Sequence, residues 1–148
     1  LMLASREISD TLEVPLAIKH MKKNYLQDLP DEVKWVDGSG LSRYNLTTPA
    51  NMVSLLEKIQ NEVSYERLFQ LLPAGGKSGT LKNLYKSEEP FIFAKTGSLS
   101  NNHSLSGYMK TKKGKILIFS FMNSNYVVPS AELKQEMESI LRAIRNNY

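Results

Sequence analysis

The chain has 148 residues, 41% of them hydrophobic and 23% charged, an ordinary balance for a globular domain with one apolar core. It contains no cysteine, which excludes disulfides, thiol catalysis and cysteine-ligated zinc. The net charge of +4 is too mild to mark a nucleic-acid binder, and no apolar run has the length of a membrane-spanning helix.

No repeat, low-complexity tract or long linker interrupts the sequence, so residues 1–148 are expected to form a single domain. The opening Leu1-Met2-Leu3-Ala4-Ser5-Arg6-Glu7 reads as the middle of a helix rather than a translation start. No signal peptide is visible, and in a piece of a longer protein that says nothing about export.

Leu1–Ser9 is expected to be helical. Thr11–Gln27 carries a second helical pattern through Val14, Leu16, Ile18, Met21, Tyr25 and Leu26, with Pro15 in its first turn. Lys19, His20, Lys22 and Lys23 read as a solvated basic face, and His20 has no partner at metal-ligand spacing. Leu29-Pro30-Asp31 breaks the helix. The turn Asp37-Gly38-Ser39-Gly40 follows. It is not a nucleophile elbow, because Asp37 stands where Gly-x-Ser-x-Gly requires glycine.

Thr48-Pro49 starts a third helix, with a hydroxyl cap and proline at the first helical position. Its apolar stripe is Met52, Val53, Leu55, Leu56 and Ile59. Tyr65–Leu72 reads as a short helix. Ala74-Gly75-Gly76-Lys77-Ser78-Gly79-Thr80 imitates a phosphate-binding loop. Leu71 replaces the first required glycine and no strand leads in, so nucleotide binding is rejected.

Tyr85–Pro90 is read as a polar loop, Phe91–Ser98 as a strand and Ser100–His103 as a connection with His103 in the loop. Ser104–Met109 and Lys115–Asn123 are two more β-prone runs about the turn Thr111-Lys112-Lys113-Gly114. The lysines at 110, 112, 113 and 115 read as a soluble hairpin tip. After a loop at 123–129, Ser130 is expected to cap a last helix. Leu133, Met137, Ile140, Leu141 and Ile144 would face the sheet, with Lys134, Glu136, Glu138, Arg142 and Arg145 turned away.

The strand at Phe91–Ser98 carries the chemistry. Lys95 and Gly97 lie two apart, so they share one face, with a cation beside a missing side chain. Thr96 and Ser98 add hydroxyls to the other face. If the strand is an edge, it can pair with an extended peptide while these groups hold a carboxylate.

Asp37–Arg43, the run Lys95-Thr96-Gly97-Ser98-Leu99 and Phe119–Asn123 together resemble the carboxy-terminal part of the low-molecular-mass penicillin-binding proteins of the D-alanyl-D-alanine carboxypeptidase/endopeptidase class, the S13 serine peptidase family. Lys-Thr-Gly is a known element of penicillin-recognising enzymes. The resemblance covers about the whole chain. It implies an α+β fold, an antiparallel meander sheet flanked by helices, as part of a β-lactamase/transpeptidase-like domain. It also implies a periplasmic or cell-envelope location, peptidoglycan stem peptides as substrate, β-lactams as ligands of the intact enzyme, and no metal or organic cofactor. Lys95 would be the catalytic residue on this chain. Thr96 and Ser98 would bind the substrate carboxylate, the Ser98 backbone N–H would donate to an oxyanion, and Gly97 would keep the groove open. Leu41, Ser42 and Arg43 would line that groove.

The family nucleophile lies in Ser-x-x-Lys, and no serine of this chain has lysine three residues later. The only Ser-x-Asn, Ser100-Asn101-Asn102, follows the lysine strand directly and reads as coincidence. The expectation is a piece of the enzyme that is inactive alone. An alternative is a non-catalytic module gripping a peptide carboxylate at Lys95; Ser-x-x-Lys encoded upstream would decide for the enzyme. A nucleic-acid role for the Lys110–Lys115 tip is rejected. With no strand beyond it, Ile116–Phe119 would be an apolar edge prone to self-association.

Overall fold

Three stretches of the second half of the chain are β-prone, two of them with continuous apolar runs at Phe91–Ala94 and Ile116–Phe119. In the computed structural model, which describes residues Leu1–Tyr148, these form one antiparallel sheet. The strands are β1 (Ile92–Leu99), β2 (Asn102–Lys110) and β3 (Ile116–Ser124), in the order β1-β2-β3. Five helices complete the α+β architecture: α1 (Met2–Ser9), α2 (Val14–Tyr25), α3 (Pro49–Glu62), α4 (Tyr65–Leu71) and α5 (Ser130–Asn147). The chain packs as two compact units, Leu1–Ser54 and Leu55–Tyr148, with α3 running through the boundary.

In the first unit, the buried Ser5 hydroxyl ties α1 to the start of α2. It accepts the Glu13 N–H at 2.8 Å and lies 2.8 Å from Thr11 O. Pro15 falls in the first turn of α2, as its fixed φ and missing N–H favour. The Thr48 hydroxyl accepts from Asn51 N at 3.2 Å and donates to Asp31 Oδ2 at 2.6 Å, so the cap also holds the incoming chain. Asn51 is buried and satisfied by the Asp31 N–H and C=O.

In the second unit, the pleat sends alternate side chains to two cores. Ile92, Ala94, Leu105 and Met109 join Leu81, Tyr85, Phe91 and, from α5, Met137 and Leu141. On the opposite face Tyr108 packs with Leu56 and Leu68, flanked by Phe69, Ile116 and Ile118. Phe69 stacks on Phe93 with centroids 4.0 Å apart.

Four local expectations are corrected. The 85–90 segment is not a wholly polar loop: Tyr85 is a core residue at 2% exposure. The β1–β2 connection is only Ser100-Asn101, with Asn101 at φ 58, a left-handed position that asparagine tolerates. His103 is therefore a strand residue, 3% exposed. Ser130 is the first residue of α5 rather than its cap; Pro129 holds the cap position without a side-chain bond. Finally, α5 departs from its expected stripe at one position: Leu133, Met137, Leu141 and Ile144 pack in the core as read, and Ile140 does not. Ile140 is exposed, while Glu138 accepts the Tyr85 N–H, Arg142 donates to Lys86 O and the Arg145 guanidinium lies over the Phe91 ring. Glu138 and Arg142 thus bind loop backbone, whereas Arg145 sets its cation on an aromatic face.

Candidate functional site

β1 is an edge strand, and its outer edge is covered only in part. Gly75 N donates to Ile92 O at 2.9 Å and Ala94 N to Pro73 O at 3.0 Å, so the Pro73–Gly75 segment pairs with the first half of the strand. These bonds also fix the alternation of the backbone. The N–H and C=O of residues 92 and 94 point outward, so those of Thr96 and Ser98 do too. No strand pairs with β1 at those two residues.

The side chains alternate as the sequence predicts. Lys95 and Gly97 share the face of Phe93, while Thr96 and Ser98 share the face of Ile92 and Ala94. Lys95 is exposed, and its ammonium donates to Thr96 O at 2.6 Å, one of the outward carbonyls. A Cβ built on Gly97 would meet only Ser104 Cβ, at 3.9 Å, so the fold leaves open space there. Two partners were not legible in sequence. The Thr96 and Thr80 hydroxyls lie 2.8 Å apart, which ties β1 to the end of the glycine-rich Ala74–Thr80 segment. Ser98 Oγ lies 2.7 Å from His103 Nδ1 on β2. The strand register pairs Ser98 with His103, a signal available once the turn is known to be two residues long.

Leu41, Ser42 and Arg43 belong to the first unit. They follow a loop organised by Asp37, whose carboxylate accepts from Ser39 N at 3.1 Å, Ser39 Oγ at 3.0 Å and Asn45 Nδ2 at 3.1 Å. The Ser39 N–H, more than the other donors, holds the Asp37 carboxyl below its usual range. Gly40 takes φ +72°, as the turn reading requires. Leu41 is 74% exposed, Arg43 is exposed, and Ser42 Oγ accepts from Tyr44 N at 3.2 Å.

Chemically, the uncovered half of β1 offers an edge amide and carbonyl at both Thr96 and Ser98, two hydroxyls and an exposed cation. That set fits an extended peptide ending in a carboxylate. No cluster of metal-ligating side chains exists.

The sequence model of the D-Ala-D-Ala carboxypeptidase 3 (S13) family matches residues 23–147. D-alanyl-D-alanine carboxypeptidase DacB of Haemophilus influenzae is 33% identical over 116 residues, 76% of this chain and 24% of that protein. The D-alanyl-D-alanine carboxypeptidase of Actinomadura sp. is 37% identical over 101 residues, 64% of this chain and 19% of that protein. The crystal structure of penicillin binding protein 4 from Haemophilus influenzae superposes with a TM-score of 0.80 at 26% identity, covering 95% of this chain and 34% of that one. Its complex with a β-lactam gives a TM-score of 0.83 at 25% identity, covering 98% and 37%. The chain thus spans about a quarter or less of these curated relatives.

Proposed function

The chain belongs to the D-Ala-D-Ala carboxypeptidase 3 (S13) family, and from that premise we propose that it supplies the substrate-carboxylate wall of a serine-type D-Ala-D-Ala carboxypeptidase/endopeptidase. The whole protein would cleave peptidoglycan stem peptides through an acyl-enzyme in the periplasm or cell envelope, and β-lactams would acylate it. Both compact units would belong to one penicillin-binding domain.

The observation that carries this reading is the uncovered stretch of β1 from Thr96 to Ser98, beside an exposed Lys95 and the open space at Gly97. An incoming strand would pair with the outward amides and carbonyls. Lys95 would leave the Thr96 carbonyl to meet the ligand carboxylate and the proton network of the nucleophile. The hydroxyls of Thr96 and Ser98 would donate to the carboxylate. The outward Ser98 N–H would serve as an oxyanion donor, a class of contact whose removal raises a barrier by about 3–4 kcal/mol.

The test is a titration of the ¹⁵N-labelled chain with an N-acetylated D-Ala-D-Ala peptide and with its C-terminal amide. The carboxylate form should shift the amides of Lys95–Leu99, and the amide form should bind more weakly. Absence of any change on β1 with the free-acid peptide would sink the reading.

A second copy of the chain is the partner proposed for the opposite edge. β3 terminates the sheet, and Ile116–Asn123 are only partly buried. An unpaired apolar strand edge favours edge-to-edge association.

A further inference from the structure

The Ser98–His103 contact decides what the Ser98 hydroxyl can offer a ligand. The two residues are directly opposed, and the alternation that turns the Ser98 backbone outward makes them a non-hydrogen-bonded pair, the closer kind in an antiparallel ladder. Ser98 is exposed, whereas His103 is 3% exposed. Its backbone is pinned as well, because Asn123 Nδ2 donates to His103 O at 3.2 Å and lies 3.4 Å from Met137 Sδ. Burial, reinforced by the Lys134 ammonium, holds the imidazole below its ordinary pKa, so it is neutral at pH 7.

A neutral imidazole carries one N–H. If the proton is on Nε2, Nδ1 accepts the Ser98 O–H, and Ser98 then presents only lone pairs, which repel a carboxylate. If the proton is on Nδ1, it donates to Ser98 Oγ across the same 2.7 Å, and the Ser98 hydrogen is free to point at the ligand. We infer that His103, protonated on Nδ1, is a positioning residue that converts the Ser98 hydroxyl into a directed donor for the ligand carboxylate. The assignment rests on the carboxylate reading above and adds a residue on the neighbouring strand to it.

The tautomer of the free chain is read directly by long-range ¹H–¹⁵N correlation of ¹⁵N-histidine-labelled protein at pH 7.5. Nδ1 should show the protonated, pyrrole-type resonance; a pyridine-type Nδ1 overturns the inference even if the peptide binds. Affinity for the N-acetylated D-Ala-D-Ala peptide supplies the second readout. His103→Leu removes the donor and should weaken binding roughly three- to tenfold, the range of one hydrogen bond. His103→Asn, whose Nδ2 can occupy the Nδ1 position, should recover most of it. In a Ser98→Ala background, His103→Leu should cost nothing further. An undiminished loss there means that the ring acts by packing alone, and overturns the inference. Wild-type chain that ignores the peptide overturns the carboxylate reading and this role together, whichever tautomer is found.

Discussion

Gly97 and Gly107 lie on adjacent strands and serve opposite purposes. A methyl group at Gly97 enters open space, whereas a Cβ on Gly107 would lie 2.2 Å from Phe93 O and 2.6 Å from Ala94 Cα. Gly107→Ala should therefore overpack the β1–β2 ladder and destabilise the chain by about 2–3 kcal/mol or more in denaturant unfolding. Gly97→Ala should leave stability within about 0.5 kcal/mol. It should still abolish or strongly weaken peptide-induced shifts on β1, because its methyl group occupies the space a ligand backbone would use. A large stability loss at Gly97 would mean that the glycine serves the fold. The sharing of a face by Lys95 and Gly97 was legible in sequence, since a strand has a period of two. The partners of Thr96 and Ser98 were not. Thr80 reaches Thr96 from a loop sixteen residues away, and Ser98 meets His103 only because the hairpin turn is shorter than the apolar pattern suggested.

Elements were legible where periodicity and caps agreed, and misread where long polar side chains fold back onto the core. α2, α3 and α4 begin and end within a few residues of the readings drawn from Pro15, Thr48-Pro49 and Pro73. On α5, Glu138, Arg142 and Arg145 look like solvent-facing charges, but Tyr85, Lys86 and Phe91 recruit them. Hydropathy has no way to register a partner on another segment. At β3 the backbone alternation makes the N–H of residues 118, 120 and 122 point to the uncovered edge. Sedimentation velocity should show concentration-dependent dimerisation, and Met122→Pro should weaken it, because proline removes an outward donor without removing a ladder bond. Monomer at all concentrations would count against the second copy.

For the whole molecule, stability should hold across neutral pH and fall on both sides. His103 has a lowered folded pKa, from burial first and Lys134 second. Below about pH 6.5 the unfolded chain binds the proton more readily, so stability declines on acidification. Tyr85 is pushed up to about 12 by burial, then by Glu138. Between pH 10 and about 12 the folded form holds the proton more tightly, so this contribution, complete below pH 10, is lost as pH rises. Unfolding free energies measured across this range test both limbs, and His103→Asn should flatten the acid one near pH 6. At the same scale, none of the 148 residues supplies a Ser-x-x-Lys nucleophile. Incubation with labelled penicillin should leave the intact mass of this chain unchanged, and a stable adduct would overturn that.

The partial cover on β1 has a further consequence. Pro73–Gly75 occupies the edge as far as Ala94, and the chain reverses at Ser100-Asn101. What remains is a docking rail about 7 Å long, two strand rises. Such a rail acts as a ruler. It can register the last two residues of a ligand and no more, so extending a peptide at its amino end should gain nothing from β1, however well the added residues suit a strand.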